Sequence, residues 1–283
     1  MMSEFIYYLN GNFVPASQAS LPINDLAIVR GYGVFDVLRT YGPVPFGLRE
    51  HLARLYRSAA QIDLAVPWPV DELERLTFAA LERNGYPENV TIRLIVSGGV
   101  SANFITPGDQ PTLAILLAKV KEYPAHCYTE GMSLISVEME RFMPSVKSLN
   151  YITAIRAQKR AAAAGAIEAL FRTGDGRVTE CTTSNFFIFK GNQLITPEAE
   201  ALQGITRHFA LEIGDDLFEV VKRDISYAEL AEADEAFITS TTKDLMPIVK
   251  VDEIVIGSGR PGPHTLRLLE AFRAFAYAQR MPI

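Results

Sequence analysis

A handful of side chains in this sequence have types and settings that could do chemistry. In RFMPSVKSLNYITAI a single basic residue, Lys147, follows a proline and a β-branched valine and precedes a helical pattern. Such a lysine ordinarily lays its stem on apolar surface and keeps its ammonium in water. Desolvated, the same group loses its proton more readily and becomes a nucleophile toward carbonyl carbon. In VTECTTSNFF, Glu180 closes a β-rich run and is followed by hydroxyl residues and Asn185. A glutamate in a polar turn is one reading; a carboxylate that keeps a heteroaromatic ring nitrogen protonated is the other.

Three further stretches point to an anion. GITR opens a helix, and the unpaired N–H groups of a first turn attract phosphate, with the Thr206 hydroxyl adding a donor. The same residues would also serve capping alone. TSTTKD is a run of hydroxyls after a strand, either a plain turn or part of the same site. Arg54 shares a helix with Leu52 and Leu55, where an arginine is by default a solvated residue and otherwise a forked phosphate ligand.

The elements that must position these groups follow from local pattern. IYYLNGNFVPA reads as a hairpin about Asn10-Gly11, and LAIVRGYGVFDVLRTYGPVPFGL as strands on either side of a Tyr41-Gly42-Pro43 turn. Helical spacing marks REHLARLYRSAAQI and 70–84, the latter with Gly85 as its C-terminal cap. NVTIRLIV places Val90, Ile92, Leu94 and Val96 on one strand face and Arg93 on the other with Thr91 and Ile95. TLAILLAKV is a near-continuous apolar strand. KEYPAH, at 121–126, combines charge and a proline with no period and reads as a linker, dividing the chain into 1–120 and 127–283. Beyond it come an Ala-rich helix ended by Gly165, hairpins through GDG and Gly-Asn turns, the helix at GITRHFALEIG, strands near LFEVVKR and EAFITS, a pair around VKVDEIVIG, and a helix from about 264 to 279. This mixture of hairpins and helices is α+β.

Composition narrows the function classes. The chain has 283 residues, 48% hydrophobic and 21% charged, with a net charge of -6 and its basic residues scattered singly. No basic stripe is available to neutralise a nucleic-acid backbone. Cys127 and Cys181 stand in no disulfide or zinc spacing, so free thiols and no metal are expected. The start lacks a signal-peptide pattern and no apolar run approaches a membrane span, so a cytoplasmic protein away from membranes is expected.

In order, RGYGVFDVLRT, EHLARLYRSA, RLIVSGG, KSLNY, VTECTTSNFFIF, GITR and FITSTTKDLMPI resemble the class IV, fold-type IV pyridoxal-phosphate enzymes. These include branched-chain aminotransferases, D-amino acid aminotransferases and aminodeoxychorismate lyases, and the resemblance spans essentially the whole chain. It implies two domains, a smaller N-terminal α/β sandwich and a larger C-terminal pseudo-barrel, with pyridoxal 5'-phosphate as cofactor. It also implies a homodimer in which the other subunit completes the active site and Arg30 crosses the interface. By motif, Lys147 would form the internal aldimine and shuttle the Cα proton, and Glu180 would pair with the pyridine nitrogen. Arg54, Ile205, Thr206 and Thr241 would hold the phosphate, and Tyr151 would meet the cofactor's phenolic oxygen. Arg30, Phe35, Arg39, Arg93 and Thr242 would face the substrate. Intact Lys147 and Glu180 argue against a non-catalytic relic.

Within that resemblance the substrate motifs depart from the standard ones. The usual D-amino acid enzyme carries an arginine and a histidine in the loop where this chain reads SANFITP, with Ala102 and Phe104 nearest. The usual branched-chain enzyme reads FEGIR where this chain reads FDVLR, so Phe35 and Arg39 match and Val37 replaces the glycine. RGYGVFD with IRLIVSGG is similar to a less usual group of D-amino acid aminotransferases that binds carboxylates with an arginine pair, here Arg30 and Arg93. The bland alternative for both is an exposed arginine. Several arginines about one pocket favour a substrate with two carboxylates. The expected reaction is a ping-pong transamination between a branched-chain or broad aliphatic amino acid and a 2-oxo acid such as 2-oxoglutarate. D-amino acid transamination is the alternative, and aminodeoxychorismate lysis a more distant one.

Overall fold

The computed structural model describes residues 4–279, which form two compact units. One comprises the chain up to Lys121, Val146–Asn150 and the chain from Ala276; the other comprises Glu122–Ser145 and Tyr151–Phe275.

The first unit contains strands β1 (Ile6–Leu9), β2 (Asn12–Pro15), β3 (Gly33–Tyr41), β4 (Val44–Pro45), β5 (Val90–Ser97) and β6 (Thr112–Lys119), and helices α1 (Leu26–Arg30), α2 (Leu48–Ala60) and α3 (Val70–Arg83). The strands form one sheet in the order β2-β1-β6-β5-β3-β4. Asn10 and Gly11 both take positive φ at the first hairpin, as the Asn-Gly pair requires. Along β5 the buried apolar residues are Val90, Ile92, Leu94 and Val96, and Arg93 is exposed on the other face. The helix α2 packs on β3 and buries Leu52, Leu55 and Ala59.

One local expectation is corrected here. LAIVR is a helical turn rather than strand, because the Asp25 carboxylate caps it by accepting from the Ala27 N–H at 2.8 Å. The same carboxylate takes the hydroxyls of Ser97 and Thr112 from the neighbouring strands. A cap anchored on two strands outweighs the β-branched composition of the segment.

The second unit contains strands β7 (Met132–Glu138), β8 (Glu168–Arg172), β9 (Arg177–Cys181), β10 (Asn185–Lys190), β11 (Gln193–Thr196), β12 (Glu219–Lys222), β13 (Ile225–Ser226), β14 (Glu235–Ser240), β15 (Asp244–Val251) and β16 (Ile254–Val255). Its helices are α4 (His126–Thr129), α5 (Ile152–Ala163), α6 (Ile205–Asp215) and, up to Phe275, α7 (Pro263–Ala278). The sheet runs β12-β11-β10-β14-β15-β7-β8-β9-β13, and β9 also pairs with β10. That extra pairing closes β10, β14, β15, β7, β8 and β9 into a ring, the barrel-like core of the unit. Leu134, Leu170, Phe186, Ile188, Ile238 and Met246 form part of its apolar filling.

Candidate active site

The first unit fixes Lys147 through its backbone. The Lys147 N–H donates to Ser58 Oγ at 3.1 Å, and its carbonyl accepts from the Phe35 N–H at 2.9 Å. Leu149 N–H donates to the Gly33 carbonyl, and Ser148 bridges Val34, so KSL runs beside the start of β3. Gly33 has to be glycine, because a Cβ there would lie 2.7 Å from both Leu149 Cδ1 and the Val96 carbonyl oxygen. The Lys147 ammonium stands 4.9 Å from the centre of the Phe35 ring, and the Arg93 guanidinium 5.2 Å from the same ring. Val37 pairs with Arg93 across the strands, which puts Phe35, Arg39 and Arg93 on one sheet face. The Arg39 guanidinium lies 4.5 Å over the Tyr41 ring. Arg30 is exposed at the end of α1 and donates to the Val29 carbonyl.

Arg54 is not a solvated helix residue. It is 5% exposed, and its Nε and Nη2 reach the two carboxylate oxygens of the fully buried Asp36 at 2.8 and 2.7 Å. His51 Nδ1 lies 2.6 Å from Asp36 Oδ1, which also accepts from the Val37 N–H at 2.8 Å. Burial alone would raise the Asp36 carboxyl, but Arg54 and His51 outweigh it and hold the group well below the usual carboxylate range. For His51 burial pushes the imidazole downward, Asp36 opposes this in part, and the positive charges of Arg54 and Lys147 add to it. Sequence reasoning missed Asp36 and His51. One signal was present: in VFDVL the aspartate alternates with Val34 and Leu38, so it must share their buried face.

The second unit lines up its candidates by strand register. Glu180 pairs with Asn185 across β9 and β10, Asn185 with Thr239 across β10 and β14, and Thr239 with Leu245 on β15. Glu180 is buried; one carboxylate oxygen pairs with Arg141 and the other accepts from the Leu202 N–H at 3.1 Å. Gly204 precedes α6 without any side-chain cap, and its missing Cβ would sit 2.0 Å from Asn185 Oδ1. The buried Ile205 and Thr206 at the helix start therefore stand next to the Glu180 row. At the end of β14, the hydroxyls of Thr239 and Ser240 are buried without a hydrogen-bond partner, and the half-buried Thr241 and Thr242 follow in the turn to β15. Tyr151, also half-buried, immediately precedes α5. An uncapped helix start beside orphaned hydroxyls suits an anion with several oxygens.

A second group missed from sequence lies behind that turn. Lys243 and Glu168 form a buried ion pair at 2.6 Å, and the Glu168 carboxylate also accepts from the Thr182 hydroxyl, the Thr183 N–H and the Ser184 hydroxyl. Burial raises the Glu168 carboxyl, but Lys243, the Ser184 hydroxyl and the Thr183 N–H reverse the sign and hold it below its ordinary value. Lys243 is lowered by burial and, on balance, raised by Glu168 and Tyr123. Among the described residues no group of three His, Cys, Asp or Glu side chains could hold a metal ion, and no helix is long and apolar enough to cross a membrane.

Comparison with known proteins bears on both halves. The family model for class IV amino-transferases matches residues 33–251. A D-alanine aminotransferase of Listeria monocytogenes is 34% identical over 272 residues, covering 93% of each chain. A putative branched-chain-amino-acid aminotransferase of Methanocaldococcus jannaschii is 33% identical over 276 residues, covering 94% of each. Among solved structures, a T.th. branched-chain amino acid aminotransferase with pyridoxamine 5'-phosphate matches with a TM-score of 0.91 at 30% identity, over 100% of this chain and 97% of that one.

Proposed function

Since the chain belongs to the class IV aminotransferases, which depend on pyridoxal 5'-phosphate, we propose that it moves an amino group between a branched-chain or broad aliphatic amino acid and a dicarboxylic 2-oxo acid such as 2-oxoglutarate. The observation that carries this reading is the sheet face on which the Lys147 ammonium and the Arg93 guanidinium share the Phe35 ring, with Arg39 on the same face. An amine and carboxylate-binding arginines are the two things such a substrate requires.

The residues fit the cofactor. Orphaned hydroxyls at Thr239 and Ser240 and the uncapped start of α6 offer phosphate donors; by motif, Arg54, oriented by Asp36, would add a guanidinium. When bound, the cofactor supplies an electron sink that lets an amino acid release its Cα proton. Lys147 would hold the cofactor and carry that proton, Glu180 would keep the ring nitrogen protonated, and Tyr151 would donate to the phenolic oxygen. Ile205, Thr206 and Thr241 would bind the phosphate. Arg93 and Arg39 take the second carboxylate of the dicarboxylic partner, with Phe35 and Thr242 forming the walls. The amino acid leaves as its 2-oxo acid before the acceptor enters, so the kinetics are ping-pong.

We further propose a homodimer. Ile23, Ile28, Val100, Phe104 and Ile105 are exposed apolar side chains, and the Asp25–Val100 bridge draws the two segments that carry them together. A second copy would cover them, with Arg30 at the end of α1 reaching across. The reduced, buried thiols of Cys127 and Cys181 suit a cytoplasmic location.

A second reading, transfer from D-amino acids, is favoured by the similarity to the Listeria enzyme and by the arginine pair Arg30 and Arg93. Mixing the cofactor-loaded enzyme separately with L-leucine, D-alanine and D-glutamate and recording conversion of the cofactor to its amine form decides between them. Response to L-leucine supports the first reading; response to D-glutamate without L-leucine refutes it in favour of the second.

A further inference from the structure

The roles assigned so far leave the buried Glu168–Lys243 pair unused. Its surroundings are specific. Lys243 ends the turn that carries Thr241 and Thr242: its N–H donates to the Ser240 carbonyl at 3.2 Å and its own carbonyl accepts from the Tyr128 hydroxyl at 3.0 Å. Its ammonium reaches away from that turn to Glu168 Oε1 at 2.6 Å and Thr183 Oγ1 at 3.1 Å. Glu168, on β8, gathers donors from three successive residues, Thr182, Thr183 and Ser184, which form the turn directly after Glu180 and Cys181. The Cys181 N–H donates to the Ser184 carbonyl at 2.7 Å and closes that turn.

One ion pair thus joins the turn beyond the ring-nitrogen carboxylate to the turn bearing the phosphate hydroxyls. We propose that Glu168 and Lys243 are positioning residues that lock the 240–243 turn against the 181–184 turn, so that Ser240 and Thr241 stand at the spacing the cofactor phosphate requires; this rests on the pyridoxal-phosphate reading above. A buried ion pair adds little stability over a well-packed apolar pair of the same volume, and fixing one arrangement is the better-attested use of such pairs. Here it also neutralises a carboxylate that would otherwise repel a phosphate dianion.

Positioning and simple electrostatics give opposite signs in one experiment. Lys243→Met and Glu168→Gln are prepared as apoenzymes, and affinities for pyridoxal 5'-phosphate and for pyridoxal are measured by absorbance titration, with thermal midpoints of the apo forms alongside. If the pair positions the turn, both variants weaken pyridoxal 5'-phosphate relative to pyridoxal, by about 10-fold, the scale seen when groups that orient direct ligands are removed. If the pair acts only through charge, Lys243→Met weakens and Glu168→Gln strengthens phosphate binding, and the proposal is overturned. It is overturned equally if the ratio stays within about twofold of wild type while the midpoints fall, which marks a purely structural pair. Should the variants not fold, hydrogen exchange on the wild-type chain with and without pyridoxal 5'-phosphate takes their place. Joint protection of 181–184 and 240–243 supports the lock, and protection of 240–243 alone overturns it. A wild-type chain that binds no pyridoxal 5'-phosphate at all refutes the cofactor reading itself, a different result from either.

Discussion

Asp36→Asn is the substitution whose consequence the structure fixes most closely. The aspartate is fully buried and accepts from Arg54 Nε, Arg54 Nη2 and the Val37 N–H, with His51 Nδ1 at 2.6 Å. Asparagine keeps the shape but offers one oxygen, turns an amine toward a guanidinium donor, and leaves Arg54 as an uncompensated buried charge. Breaking one side of a buried ion pair costs about 3–5 kcal/mol. The retained oxygen puts the expected loss near the lower end, about 3 kcal/mol, or roughly 10 °C in Tm at roughly 3 °C per kcal/mol. The pH dependence follows from the depressed Asp36 pKa. Its contribution is fully present above the unfolded carboxylate value of about 3.9 and is lost as pH falls through the folded value. The wild-type advantage should therefore be constant from about pH 5 to 7 and shrink below about pH 4. Urea unfolding of the apoenzyme, followed by fluorescence of Trp68, reads this directly, since Trp68 is the single tryptophan and belongs to the first unit. A loss under about 1 kcal/mol at pH 7, or one that does not change between pH 3 and 7, would refute the reasoning.

Other substitutions separate the roles. Arg93→Ala should raise KM for a dicarboxylic 2-oxo acid by at least about tenfold, the worth of roughly 1.4 kcal/mol from a charge-assisted contact, and change a monocarboxylic substrate far less. Equal kinetics on both would remove Arg93 from the substrate site. Gly204→Ala puts a Cβ 2.0 Å from Asn185 Oδ1, so the start of α6 must move. Apoenzyme affinity for pyridoxal 5'-phosphate should fall about tenfold or more by equilibrium titration, as a phosphate donor lost from its place costs over about 1.4 kcal/mol; unchanged affinity would remove the helix start from the phosphate site.

What could be seen in the letters was what local physics decides. Asn10-Gly11, the alternation of β5 and the GITR helix start each depend on neighbours within a few residues, and each is found as expected. The strand β7 was not anticipated, because its buried residues Leu134 and Val137 are three apart and break the two-residue period. By residue type alone Arg54 had a solvated helix face as its default, and only the family resemblance made it a phosphate ligand; its burial against Asp36, arriving from β3, was not legible. Glu168 and Lys243 are distant in sequence and carry no local mark at all, so their pairing depends on the ring of strands. Lys147 was legible as chemistry only in company with Glu180, Arg54 and GITR. Its half-buried place on the Phe35 ring, held by Ser58 and β3 backbone, is information that six letters do not contain.

The central claim is that Lys147 is the residue that carries the cofactor. The most direct measurement is borohydride reduction of the yellow wild-type protein followed by proteolysis and mass mapping. The account predicts one pyridoxyl group, on the peptide containing Lys147, with loss of activity in step with its incorporation. A label on another lysine, the buried Lys243 above all, or a protein that stays colourless and unlabelled with excess pyridoxal 5'-phosphate, would contradict it.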